Sequence, residues 1–259
     1  MNKTKIETAD YTWNPVTGCD QVCFEGDCYA YQLINRFGET WGYDWTPMLH
    51  EDRLHEPFTL KEPSIIFAPS MGDLFTTSMK HINIVSVLDV MKRCPWHRFM
   101  VQTKYPERLN HFDYPSNVWL GVSLCYKKDV SRLEALKKTN ARIKYAYCEP
   151  LLEDIDPDFT GIDWVVIGAK TGTHPFQPDT LWVRKLTLLA YEAGAKVFHK
   201  PNLNLEIPPP IHHFPDKEWF ESRNSQQLRK EPWGKEKDGH KTGEWRTVES
   251  KKSRLEENT

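Results

Sequence analysis

Cys19, Cys23 and Cys28 stand within ten residues near the start of the chain, followed at once by Tyr29. A thiolate is the preferred ligand of zinc and of iron–sulfur clusters, and three in one short loop reach a single centre unaided. A structural zinc site normally closes with four ligands, so a zinc knuckle here needs a fourth donor such as His50. A cluster on three cysteines instead leaves one iron open to another ligand. The other cysteines, Cys94, Cys125 and Cys148, are scattered singly, and a chain of 259 residues buries a core without disulfide staples. No secretory leader pattern and no long apolar run is present, so the expectation is a cytosolic protein with no membrane contact. A composition of 27% charged residues with a net charge of -2 is that of an ordinary globular chain and does not by itself single out nucleic acid.

The elements that position the cysteines follow from periodicity. Short runs rich in β-branched and aromatic residues predict strands at Ser64–Ala68, Arg98–Thr103, Val118–Ser123, Ile143–Tyr147, Trp164–Ile167 and Lys196–Phe198. Tyr11–Val16 offers a further first strand. Between them, Ile84, Val87, Leu88 and Met91, then Val130, Leu133 and Leu136, then Trp182, Leu186 and Leu189 keep the helical period, with Asp129 as a cap and Gly194 as a stop. The fold class is α/β with about six or seven parallel strands, either doubly wound or a partial (β/α) barrel. A cysteine loop after the first strand favours the barrel, whose active sites lie at the C-terminal strand ends. The domain spans residues 1–202. Residues 203–259 form a charged, partly ordered extension, with ten Lys and Arg against seven Asp and Glu from Ser222 onward. Trp219 and Trp233 mark segments of it that dock back on the body.

Strand ends of a parallel sheet share one rim, which gathers the polar residues that follow each strand. These are Ser70, Gly72 and Asp73, then Gln102, Thr103 and Lys104, then Ser123 and Cys125, then Cys148 and Glu149, then Gly168, Lys170 and Gly172, and last His199 and Lys200. Such a mixture of charges fits a polar cavity for a charged ligand.

Thr12-Trp13-Asn14-Pro15-Val16-Thr17-Gly18-Cys19, Cys28-Tyr29-Ala30 and Arg36 resemble the opening of an uncharacterised, phage-associated branch of the radical S-adenosylmethionine (radical SAM) superfamily. The likeness continues through Ser70-Met71-Gly72-Asp73, Gln102-Thr103-Lys104, Asn117 to Ser123, Glu149-Pro150 and Asp163 to Gly168, and covers residues 11 to 202. The chain departs from it in a longer gap before the third cysteine, in Lys200-Pro201 and in Ala169-Lys170-Thr171. The resemblance implies a radical SAM barrel with a 4Fe-4S cluster on Cys19, Cys23 and Cys28, whose open iron chelates S-adenosylmethionine for reductive cleavage to a 5′-deoxyadenosyl radical. It places Ser70 and Asp73 at the methionine part, Ser123 and Glu149 at ribose or methionine groups, Gly168 at the adenine, and Tyr29 beside adenine or cluster. Cys148 becomes a candidate hydrogen-atom donor to a substrate radical, or a small apolar filler. Lys104 and Lys170 become candidate partners of a substrate phosphate or carboxylate, or salt-bridged scaffold. The implied partners are an electron donor such as flavodoxin or ferredoxin and a small-molecule or nucleic-acid substrate. Two rivals remain open: a zinc-stabilised nucleic-acid-binding or scaffold protein, and a barrel enzyme without a cluster that uses its rim for hydrolysis.

Overall fold

Val118–Ser123 and Trp164–Ile167 are buried at every position, as strands covered on both faces must be. The computed structural model describes residues 1–205 and 210–224. In chain order its elements are β1 (Asn2–Lys3), β2 (Tyr11–Thr12), β3 (Val16–Thr17), α1 (Tyr29–Trp41), β4 (Met48–Leu49), α2 (Glu56–Thr59), β5 (Ile65–Phe67), α3 (His81–Arg93), β6 (Arg98–Thr103) and β7 (Val118–Ser123). There follow α4 (Arg132–Lys137), β8 (Ile143–Cys148), β9 (Trp164–Ile167), α5 (Thr180–Glu192), β10 (Lys196–His199) and α6 (Lys217–Asn224).

Eight strands form one sheet in the order β1-β2-β5-β6-β7-β8-β9-β10. Only β1 runs antiparallel to its neighbour, so the fold is mixed α/β with a mostly parallel sheet. The parallel strands are added in sequence order with no reversal, unlike a doubly wound sheet with its switch point. Crossovers of one hand then place the helices between successive parallel strands on one face. Ile84, Val87 and Met91 of α3, Leu133 and Leu136 of α4, and Val183, Leu186 and Ala190 of α5 indeed share one core with Val101, Val122, Ala146 and Ile167. The opposite face carries Phe67, Met100, Trp119, Tyr145, Tyr147, Trp164 and Phe198. No described helix is long and apolar enough to cross a membrane.

Two local expectations change. Tyr11–Val16 is not one strand: Tyr11–Thr12 joins the sheet, whereas Val16–Thr17 pairs with Met48–Leu49 in a separate ribbon. Asp129 does not cap α4 but accepts the backbone N–H groups of Cys125 (2.9 Å) and Tyr126 (3.0 Å), fixing the turn after β7. The Trp219 segment docks back on the body as expected: α6 sets Trp219 into the aromatic face while Asp216 pairs with Arg98 at 2.8 Å. Gly194 does end α5, in the left-handed conformation that suits glycine after a helix. Trp233 and the rest of the charged stretch lie outside the described residues.

Two histidines are sealed into this frame as neutral rings. His97 Nδ1 accepts from the Ser64 N–H, and His199 Nδ1 accepts from the Ile211 N–H. Burial holds each at a pKa of about 4. A depressed histidine contributes stability above its unfolded pKa of about 6.5 and loses it as pH falls toward the folded value. The urea midpoint is therefore expected to drop steadily from pH 6.5 to pH 4.5, by up to about 1.4 kcal/mol of stability per pH unit for each ring. A midpoint flat across that window would contradict neutral burial.

Candidate functional site

The segment from Thr12 to Cys19 is first a piece of scaffolding. Trp13 is wholly buried and its Nε1 donates to the Arg53 carbonyl at 2.8 Å. Asn14 Oδ1 accepts from the Ser70 N–H (2.7 Å) and the Met71 N–H (3.0 Å), tying the first parallel strand to the loop after the second. Thr17 Oγ1 meets His50 Nε2 at 2.8 Å. Gly18 and Gly72 then pass so closely that a Cβ on Gly72 would lie 2.4 Å from the Gly18 carbonyl oxygen. Gly18 has φ +83°, and its own Cβ would lie 2.4 Å from the Trp45 carbonyl oxygen, so no side chain fits at either position.

This junction delivers the cysteines to a cavity of about 190 Å³ at the C-terminal strand ends. Cys19, Cys23, Cys28, Tyr29, Ser70, Asp73, Lys104 and Ser123 all line it, so the structure brings together most of the residues singled out from sequence. Cys19 is buried, with the Tyr105 hydroxyl at 3.4 Å and the Thr76 hydroxyl donating from 3.9 Å, and burial pushes its thiol up. Cys23 and Cys28 shift each other in opposite directions. The hydrogen bond from Cys23 pushes Cys28 down to about 6, helped by the Tyr31 and Ala30 N–H groups that open α1 and by Lys104. The same bond pushes Cys23 up. Burial opposes the charge of Lys104, but Cys23, Cys125, Asp73 and Cys28 outweigh it and raise its pKa.

Asp73 is a bracket. Its carboxylate accepts from the Thr103 hydroxyl (2.7 Å), the Phe75 N–H (3.0 Å) and the Lys104 N–H (2.9 Å), and burial raises its pKa. It thus joins the cysteine-side loop to the end of β6, a role that its place in the sequence did not reveal.

A second, larger cavity of about 1240 Å³ adjoins the first. Phe24, Tyr29, Phe67, Ser70 and Gln102 line both. The larger one also meets Tyr147, Glu149, Lys170, Lys200 and Asn202. Glu149 is held by Asn202 Nδ2 (2.8 Å) and Lys200 Nζ (3.2 Å), and Lys200 also reaches Glu7 at 2.5 Å. Lys170 pairs with Asp27 at 2.7 Å, and His174 reaches the same carboxylate at 2.8 Å. That carboxylate immediately precedes Cys28, so Lys170 serves as scaffold that clamps the cysteine loop to the segment after β9. Glu7 and Asn202 carried no sequence signal, whereas Gln102 and Lys200 were visible as strand-end residues.

Two expected residues sit elsewhere. Cys148 is wholly buried in the helix-side core, because Tyr147 faces the cavity and successive strand residues point to opposite faces. Burial pushes its thiol up, and it acts as a small apolar filler. Gly168 lines neither cavity. The Glu149 side chain fills its open side, and a Cβ there would lie 2.8 Å from that carboxyl group.

Among the described residues no three His, Cys, Asp or Glu side chains form a group that could hold a metal ion. A zinc ion draws its thiolates to about 2.3 Å from one point, whereas a cluster takes thiolates on separate irons. His50 cannot complete a knuckle where it stands, since it bonds Thr17, stacks edge-on against Tyr43 and is absent from the cysteine cavity wall.

Iodoacetamide labelling followed residue by residue should modify Cys28 with a midpoint at lower pH than that of Cys19, because the thiolate is the nucleophile. Lys104→Met should move that midpoint upward. Equal labelling of Cys19 and Cys28 across pH would refute the assigned asymmetry.

Residues 3–245 match the model of a family described as Protein of unknown function (DUF5131). No curated protein and no solved structure matches the chain. The chain belongs to that family.

Proposed function

We propose that this member of the DUF5131 family is a radical SAM enzyme, a partial (β/α) barrel in which Cys19, Cys23 and Cys28 hold a 4Fe-4S cluster. The observation that carries this reading is the meeting of three thiols in one cavity at the C-terminal ends of sequentially ordered parallel strands, beside a larger chamber. The donor set suits the group in its charge: one thiol ionises readily and a lysine offsets the accumulated negative charge. The strand order and the placing of α3, α4 and α5 on one face support the barrel. The resemblance of Thr12 to Cys19 supplies the link to S-adenosylmethionine.

When bound, the cluster and S-adenosylmethionine supply one-electron cleavage of a carbon–sulfur bond, and the protein supplies binding, orientation and exclusion of water. Lys104 balances the thiolate charge from within the cavity wall. Ser70 and Ser123 present hydroxyls to that cavity from two different strand ends. Asp73 acts through its bracket to keep Thr103 and Lys104 in register with the cysteine loop. Glu149 offers a carboxylate already oriented by Asn202 and Lys200 on the chamber side. Phe24, Tyr29 and Phe67 line the passage between the two spaces with aromatic rings, beside Ser70 and Gln102. Electrons arrive from a donor such as flavodoxin or ferredoxin, and the substrate is a nucleotide or nucleic acid.

Protein purified without oxygen and reconstituted with iron and sulfide should turn brown and hold about four irons per chain. Cys19→Ala, Cys23→Ala and Cys28→Ala should each abolish the colour. A colourless protein that retains zinc and rejects iron would replace this reading with that of a zinc-stabilised binding protein.

A further inference from the structure

Gln102 stands where the two cavities meet and lines both. Strand alternation turns it to the same face as Met100, two residues earlier in β6. Its side chain makes no hydrogen bond with any described residue, and its Oε1 is buried without a partner. A buried amide oxygen left unpaired is costly, and strand ends elsewhere on this rim settle their polar groups, as Glu149 does with Lys200 and Asn202. The rings of Phe24, Tyr29 and Phe67 share the passage with this amide, and Tyr147 faces the larger chamber beyond it. Aromatic faces take planar ligands by stacking, while a glutamine amide, with acceptor beside donor, pairs with an edge that carries donor beside acceptor.

We propose that the passage binds a planar group whose edge carries an N–H donor next to an acceptor, as on a nucleobase or an aromatic carboxamide, and that Gln102 reads that edge. As a substrate-recognition feature it rests on the reading above, but binding is measurable without cluster or cofactor. Cluster formation with no binding therefore sinks this inference alone.

The full chain, as purified, is titrated calorimetrically with thymidine and with benzamide. At least one should bind, and Gln102→Leu should weaken that binding about tenfold or more. Gln102→Glu, which keeps an acceptor and loses the donor, should weaken it as well, and Gln102→Leu should not lower the melting temperature. N3-methylthymidine, whose edge has lost its N–H, should bind the unaltered protein no better than thymidine binds Gln102→Leu. Thymidine binding identifies the nucleobase as the source of the edge, and benzamide binding alone identifies the carboxamide. If neither probe binds, or if Gln102→Leu binds them as tightly as the unaltered protein, the proposal is wrong.

Discussion

Backbone passes backbone at Gly18 and Gly72 with no room for a side chain on either, and the arrangement of the site depends on this contact. The Gly18 N–H donates to the Met71 carbonyl at 2.9 Å, and the Asp73 N–H donates back to the Gly18 carbonyl at 3.3 Å. Asn14 doubles the tie through Ser70 and Met71. A loop fixed only at its ends would sample many conformations, and ordering it costs about 1–2 kcal/mol per residue in backbone entropy. Here the cost is met by sheet-like pairing on one side and by the Lys170–Asp27 clamp on the other.

From that junction the chemistry of the cavity follows by proximity. Cys28 opens α1, Cys23 gives it a hydrogen bond, and Lys104 closes the wall, so one thiol ionises at near-neutral pH while the others stay protonated. Asp73 holds Thr103 and Lys104 with its carboxylate. Many polar groups line the chamber, and among the described ones Gln102 has an amide oxygen that is buried and unpaired.

Much of the frame was legible in the residues. Arg98–Thr103, Val118–Ser123 and Trp164–Ile167 have the bounds read from sequence, because strands buried on both faces are continuous apolar runs cut off sharply by polar turns. The gathering of Ser70, Lys104 and Ser123 with the cysteines followed from parallel strands having a common rim. What failed was orientation. Cys148 ends β8 as expected but points into the helix-side core, and the alternation with Tyr147 contained that information. The partners of Lys170 and Gly168, Asp27 and Glu149, were not legible, because they are distant in sequence or folded across them and no local pattern encodes such contacts. The docking of Trp219 was foreshadowed by an apolar residue in a charged stretch, but its seat against the aromatic face was not.

The central claim is that the three-cysteine cavity holds a cluster with an iron open to S-adenosylmethionine. It is tested most directly by electron paramagnetic resonance of the reconstituted, reduced protein with and without that cofactor. The account predicts a reduced-cluster signal that shifts on addition of S-adenosylmethionine and is lost in Cys28→Ala. A cluster signal indifferent to the cofactor, or no cluster signal with zinc found in its place, would contradict it.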